Sequence, residues 1–390
     1  MAFVRKSRAI LPAFVFALAA LLSGAGGVLL GLCGPFTDVA ADAFCPFVLE
    51  IFYLSITTGT TATTYDPTSS VTRLQMAAFL SRTVDRTLQR GSHRAALNQF
   101  WTTEQNAGLA VTTVGSSQGL PVSDGEDVWL AASGAVWRVH GSDGKLLQTW
   151  TGATAAFGTL SAMGRIFATG SLSPGALYQI DPSQPAGVVT TVATNLGSTP
   201  RSIAYDGSRI WTANFGGSVS IVIPGAVPPW TVTTVAVGAE LAGALFDGSN
   251  IWVTDFSSNT LLKLNGSGAV LQTVTVGGTP QFPAFDGSNI WVPNLNGGDS
   301  VTVVHASSGA ILATLTGNGL KAPSGAAFDG QHVLVTSRGD PGDAVSLWKA
   351  ADLTPIGSVP MPGGTSPYGA CSDGVHFWIS MLFGNVIARF

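Results

Sequence analysis

The chain has 390 residues, room for two or three domains and at least one large core. Only 10% of the residues are charged and 48 are glycine, which argues for a turn-rich β protein rather than long salt-bridged helices, and a 46% hydrophobic content with ten Trp and twenty Phe excludes intrinsic disorder. A formal charge of −4, from 18 basic and 22 acidic side chains, leaves no basic face to neutralise a run of phosphates, so nucleic acid is not an expected partner.

Arg5, Lys6 and Arg8 precede an apolar run from Ala9 to Leu22 and the small residues Ser23, Gly24 and Ala25. This is the pattern of a Sec-type signal peptide within residues 1–32. The uncharged stretch runs on to Leu32 and is long enough to cross a bilayer, so an uncleaved anchor is the alternative. Under either reading the rest of the chain is expected outside the cytoplasm, extracellular or on the cell envelope, with wall and outer membrane both open. Leu32 stands where a lipoprotein signal wants a small residue, which argues against a lipid on Cys33. Cys33 and Cys45 can pair if cleavage spares Cys33, whereas Cys371 has no neighbour in sequence and reads as a buried small apolar residue.

Residues 36–90 read as a small helical module. Phe44, Phe47, Val48 and Ile51 recur at helical spacing and predict one buried face. Thr72 with Gln75 three residues on makes a capping box that starts a second helix, with Met76, Phe79, Leu80, Thr83 and Val84 as its apolar stripe. Between them, Thr57 to Thr64 and the turn Tyr65-Asp66-Pro67 carry no periodicity. The segments Phe36-Thr37-Asp38-Val39, Ile56-Thr57-Thr58-Gly59, Tyr65-Asp66-Pro67 and Val71-Thr72-Arg73-Leu74-Gln75-Met76-Ala77-Ala78-Phe79-Leu80 together resemble one S-layer homology (SLH) module, in that family's order and spacing. The resemblance implies attachment to cell-envelope polysaccharide, with Arg73 and Thr72 of the Thr-Arg motif meeting an anionic polymer group and Asp38 shaping the same groove. The alternative is that Thr72 and Asp38 cap helices and Arg73 is solvated. The family commonly uses three modules together; this chain has one, and a single site binds weakly without avidity. Residues 91–103, with His93 and the Phe100-Trp101 pair, form a linker.

From 104 to 390 the sequence repeats. Asp206-Gly207-Ser208-Arg209-Ile210-Trp211 recurs at Asp247 to Trp252 and Asp286 to Trp291, with weaker copies at Asp124 to Trp129, Gly164 to Phe167, Asp329 to Leu334 and Asp373 to Trp378. The marker positions 129, 167, 211, 252, 291, 334 and 378 have a mean spacing of about 41.5 residues. Four short strands per unit fit that length, which predicts a mainly β protein built as a seven-bladed β-propeller. After Trp378 there is room for a third strand but not a fourth, and Leu109 to Val114 precedes the first Asp-Gly turn, so an N-terminal strand is expected to complete the last blade and close the ring. The Val-Thr-Val-Val strands and the Thr-Val-Gly-Gly-Thr-Pro segment at 275–280 are similar to bacterial surface propellers of the YVTN and NHL type, and more remotely to streptogramin lyases.

Chemistry is harder to find. Each repeated Asp precedes a Gly at a strand-to-strand turn, where a carboxylate bonding the turn backbone accounts for it, and the repeated aromatics read as packing between blades. His140, His305, His332 and His376 are scattered, and no nucleophile elbow, phosphate loop, CxxC or HExxH occurs. No catalytic residue, metal site or cofactor is therefore assigned. By the topology of the resembling families, loops before the first and after the second strand of each unit share one face of the funnel, contributing Arg201, Gln281 and Tyr368 from the first kind and Asn214, Asp255, Asn294 and Arg338 from the second. These form a candidate binding face for an unidentified ligand or protein. The expected function is a non-catalytic, envelope-attached binding or scaffold module. A streptogramin-lyase-like lyase or hydrolase working in the central funnel is the alternative.

Overall fold

The computed structural model describes residues 33, 35–39, 45–53, 56–80, 83, 110–116, 118–339, 342–361 and 364–390. The proposed export segment and linker, with His93, lie outside the described residues, as do Phe44 of the expected helix face, Val84 and Leu109 of the expected closing strand. The chain divides into two compact units, Met1–Ala96 and Leu97–Phe390.

In the first unit Cys33 and Cys45 form a disulfide, and the helix Cys45–Tyr53 begins at the second of them. Its buried face is Cys45, Val48, Leu49 and Phe52, packed with Phe36, Val39 and Tyr65. This corrects the predicted stripe by one residue: Phe47 is 63% exposed. Tying Cys45 to Cys33 turns the face that includes Cys45 inward, and positions at i, i+3, i+4 and i+7 from it follow. The Phe36 ring meets Phe52 edge-on at 5.0 Å and Tyr65 at 5.5 Å. Gly59, at a φ of +78°, lets the loop close over this cluster, since a Cβ there would lie 2.7 Å from the Phe36 ring.

The predicted capping box is present. Gln75 N donates to Thr72 Oγ1 at 3.2 Å and Thr72 N to Gln75 Oε1 at 2.8 Å, opening a helix over 73–80. Its expected buried stripe is not buried within the unit, because Met76 and Leu80 are 46% and 60% exposed.

The second unit is a seven-bladed propeller. Six blades are four-stranded antiparallel meanders in chain order, with the fifth blade's first strand broken into Gly278–Pro280 and Ala284–Phe285. The seventh is completed by Ala110–Thr113, which pairs with Val386–Arg389 as the sequence predicts.

The marker residues all lie on second strands, and Trp129, Phe167, Trp211, Trp252, Trp291, Leu334 and Trp378 are fully buried. Each packs in a cluster joining its own blade to the next, and Trp378 closes the ring against Val128 and Leu130 of the first blade. A single blade offers two apolar faces, so stacking is what buries them.

The repeated aspartates do more than hold turns. Asp247 Oδ1 accepts the amides of Ser249 and Asn250, while Oδ2 accepts the indole N–H of Trp252 at 2.7 Å. Asp124, Asp206, Asp286 and Asp373 bond Trp129, Trp211, Trp291 and Trp378 in the same way at 2.7–2.8 Å. A buried indole N–H needs an acceptor, and the Asp five residues earlier supplies it. Where the marker is Leu334, Asp329 Oδ2 turns to the His332 ring at 3.1 Å; where it is Phe167, the turn is Met163-Gly164 and has no Asp.

Candidate functional site

The two ends of the propeller differ in how their charges are used. At the Asp-Gly-turn end, cations lie over the marker Trp rings and reach the next blade. Arg138 over Trp129 donates to Pro182 O at 3.2 Å, Lys263 over Trp252 to Ala306 O at 2.9 Å, and Arg389 over Trp378 to Ser142 O at 2.6 Å; Arg209 over Trp211 bonds Gly266 O. Arg138 is also paired with Asp127 at 2.5 Å and Arg209 with Asp206 at 2.8 Å. Burial pushes the Asp206 carboxyl up, but the Trp211 indole and the amides of Arg209 and Ser208 outweigh it and hold it at about 2. His140, His305, His332 and His376 are at this end, in or beside its turns.

The opposite end holds the predicted face, and the structure divides that set. Asn214, Asp255 and Asn294 are 0%, 2% and 0% exposed and are used by the fold. The Asn214 carboxamide accepts from Thr212 Oγ1 and donates to Ser218 and Ser220 Oγ at 3.1 and 2.9 Å. Asn294 donates to Ser300 and Thr302 at 3.1 and 3.0 Å. Asp255 accepts the amides of Ala239 and Glu240 at 2.9 and 3.1 Å, holding the loop that leads into its own blade. These three residues stand three positions after the marker, where the strand directs them inward. Successive strand residues face opposite sides, so the position four after the marker points the other way. That position is Phe215, Phe256, Arg338 and Leu382 in blades three, four, six and seven. Of the predicted second-strand residues, only Arg338 is on it.

The first-strand residues converge. At the innermost point of each blade the chain places Leu120, Phe157, Arg201, Ala242, Phe282, Ser324 and Tyr368, most of them at a β-bulge. The rings of Phe157, Phe282 and Tyr368 lie 5.2–6.3 Å apart. They come from blades two, five and seven, and can meet only on the propeller axis. Gln281, 1% exposed, directly precedes Phe282, and its carbonyl accepts Thr254 Oγ1 of blade four at 2.8 Å. Thr336 of blade six holds the Tyr368 carbonyl in the same way at 2.7 Å. Gly325 permits this close approach, since a Cβ there would be 2.4 Å from the Tyr368 carbonyl oxygen. The innermost positions are thus fixed by the preceding blade.

Above these rings sit two half-buried arginines. The Arg201 guanidinium lies 3.7 Å over the Phe215 ring, which meets the Phe256 ring at a tilt with centres 5.8 Å apart, and Arg338 lies 5.0 Å from the Tyr368 ring centre. Burial pushes the Arg338 guanidinium down, the Tyr368 hydroxyl opposes this, and the Arg201 charge adds to it. Burial raises the Tyr368 hydroxyl above its usual range against the pull of both arginines, leaving it protonated and a donor at neutral pH. The mouth therefore offers cationic and neutral donors above an apolar floor. Sequence reasoning found Arg201, Arg338 and Tyr368, and missed Phe157, Phe215, Phe256 and Phe282. The available signal was positional: Phe157 precedes the inner-strand Gly158, and Phe215 and Phe256 stand four after their markers, whereas Phe282 precedes Pro283 and carried neither signal.

Among the described residues no group of His, Cys, Asp and Glu could hold a metal ion. Cys371 is half-buried, and burial with the nearby Asp373 charge pushes its thiol well up, so it is not poised as a nucleophile. In the N-terminal unit Asp38 accepts the amides of Tyr65 and Asp66 at 2.8 and 2.7 Å, and the Tyr65 bond leads in holding its carboxyl below the usual range. Thr72 is engaged in the capping box, and Arg73 is exposed with no ion pair among the described residues.

No protein-family model matches the chain, and no curated protein matches it in sequence. Solved structures do match in fold. A streptogramin B lyase aligns with a TM-score of 0.60 at 14% identity, covering 72% of this chain and 96% of that one. Virginiamycin B lyase from Staphylococcus aureus aligns at 0.59 and 16%, covering 72% and 98%. The WD40 β-propeller domain of Doa1 aligns at 0.59 and 11%, covering 73% and 96%. At these identities the likeness speaks for the propeller fold, shared by lyases and a WD40 domain alike.

Proposed function

We propose that this chain is an exported, envelope-attached protein whose propeller is a non-catalytic binding or scaffold module. Its N-terminal unit, similar to an SLH module, contacts cell-envelope polysaccharide through Arg73, with Asp38 and Thr72 shaping the groove. The observation that carries the propeller half of this reading is the axial mouth, where Arg201, Arg338 and Tyr368 lie against aromatic rings and their side-chain polar groups make no hydrogen bond among the described residues. For the envelope half, the support is the capping box and the Asp38 anchor, with Arg73 exposed and without an ion pair among the described residues.

The second reading, a lyase or hydrolase working in the funnel, draws support from the fold likeness to the two lyases. Against it, the described histidines stand at the other end of the propeller, out of reach of a substrate in the mouth.

Retention on isolated envelopes tests the attachment. Arg73→Ala in the full chain should release the protein while leaving its thermal unfolding unchanged. Equal retention of wild type and variant would place the anchor elsewhere. The enzymatic reading is tested by incubating the chain with envelope extracts and following small molecules by mass spectrometry, where turnover of any component would favour it.

A further inference from the structure

We propose that the axial mouth of the propeller binds an oxyanion, a carboxylate or phosphate group carried on an aromatic or apolar body, with the anion between Arg201 and Arg338 and the body on the Phe157, Phe282 and Tyr368 rings. The inference rests on reading this end as a binding face, and names the chemistry of what that face takes.

A guanidinium carries five N–H donors in a fixed fork. Neither Arg201 nor Arg338 gives one of them to a hydrogen bond or ion pair among the described residues; their neighbours are ring faces. Both are half-buried, and the Arg201 charge bears on Arg338. The contrast with the turn end is within one molecule. There Arg138, Arg209, Lys263 and Arg389 also lie over aromatic rings, yet each also donates to a carbonyl of the next blade. Stacking on a ring therefore does not by itself leave a cation without acceptors in this fold.

Two cations that both act on the Tyr368 hydroxyl, partly withdrawn from water and with no counter-ion among the described residues, disfavour each other until an anion enters. Arg forks match the planar carboxylate and the phosphate bidentately, which selects an oxyanion. The floor selects the rest of the ligand. Three rings within 5.2–6.3 Å of one another form an apolar surface on the axis, suited to a ring or hydrocarbon. Ser324, the innermost residue of blade six, is buried with its Oγ lacking a hydrogen-bond partner among the described residues, a further polar group on the same ring of positions.

Calorimetric titration of the full-length chain with benzylphosphonate, benzoate, inorganic phosphate and benzyl alcohol tests this. The two aryl anions should bind at least about tenfold tighter than benzyl alcohol and tighter than phosphate alone, and added salt should weaken them. Their order separates a phosphate from a carboxylate ligand. Arg201→Gln and Arg338→Gln should each weaken the anions about tenfold or more with thermal unfolding unchanged, and Arg338→Lys should recover part of the loss. Should a Gln variant fail to fold, the Lys variant and the wild-type salt dependence carry the test. Benzyl alcohol binding as tightly as the anions would overturn the oxyanion and leave an apolar binding face. No binding by any probe, or anion affinity indifferent to both arginines, would overturn the proposal while leaving envelope attachment, which is read through Arg73, untouched.

Discussion

The two ends of the propeller are made by the same strands yet follow opposite rules. At the turn end the same residues recur in most blades: in five an Asp takes the indole N–H five residues on, and in four a cation over that indole reaches the next blade. At the mouth the equivalent positions differ in nearly every blade, running from Leu120 through Phe157, Arg201, Ala242, Phe282 and Ser324 to Tyr368. Each blade must solve the same packing problem against its neighbour, so a residue that repeats is explained by packing. A residue that departs from the repeat is free of that duty, and in a quasi-symmetric ring the departures are where a ligand can be read.

The comparison breaks most completely if the ring is opened. Deleting residues 110–113 strips blade seven of its outer strand and leaves the edge of Val386–Arg389 unpaired. The expected outcome is loss of the cooperative unfolding transition and aggregation, at both ends together. A truncated chain with an unchanged melting temperature would show that closure by this strand does not hold the ring.

Next in size is the marker itself. Trp252→Ala should cost about 3–5 kcal/mol, as large-to-small core changes do. Asp247→Ala should cost about 1–3 kcal/mol, because it strands the Trp252 indole N–H and the turn amides. The sharper form is the double-mutant cycle: Asp247→Ala should cost less in a Trp252→Phe background, where no indole N–H is left to strand. Additive effects in denaturant unfolding would refute the pairing.

Acidification reads the same device with a smaller amplitude. The Asp206 carboxyl is held at about 2, and that of Asp373 is also lowered, net of the burial that opposes this in both. Relative to an unfolded carboxyl near ~4, the folded form binds fewer protons, so this stability is present above pH ~4 and is lost as pH falls toward ~2. For Asp206 the loss should amount to at most about 2 kcal/mol. Asp206→Asn should flatten stability against pH in that window, and an unchanged slope would dismiss the contribution.

The same division explains what could be read from sequence. Period, blade number, Asp-Gly turns and the closing strand were legible because repetition multiplies a weak strand signal seven times. The Asp–Trp bond was only half legible: the spacing of five was visible in every strong copy, but that the strand's curl returns the indole to its own turn needs coordinates. The helix face in the N-terminal unit was misread by one residue, because Phe47 outranks Cys45 in hydrophobicity while the disulfide decides which face turns in. At the mouth, polarity was a misleading guide. It selected Asn214, Asp255 and Asn294, whose polar groups serve the loops, and passed over Phe215 and Phe256, whose rings line the opening.

The smallest expected effect separates the two ends most finely, since it turns on a single step along the second strand. Asn214, three after its marker, satisfies three hydroxyls in a buried network, so Asn214→Ala should cost about 1–3 kcal/mol and leave anion binding at the mouth intact. The guanidinium of Arg338, four after its marker, makes no hydrogen bond among the described residues, so Arg338→Gln, which keeps the backbone bond to Ala322, should change stability by no more than about 0.5 kcal/mol. Its sign carries the argument: removing one of two facing cations relieves their repulsion, so the change should be neutral or slightly stabilising in low salt, and the difference should shrink as salt is added. Paired denaturant unfolding of the two variants at low and high ionic strength measures this. A clear destabilisation by Arg338→Gln would mean that this arginine serves the fold like its counterparts at the turn end, and the distinction between the two ends would fail at the residue on which it most depends.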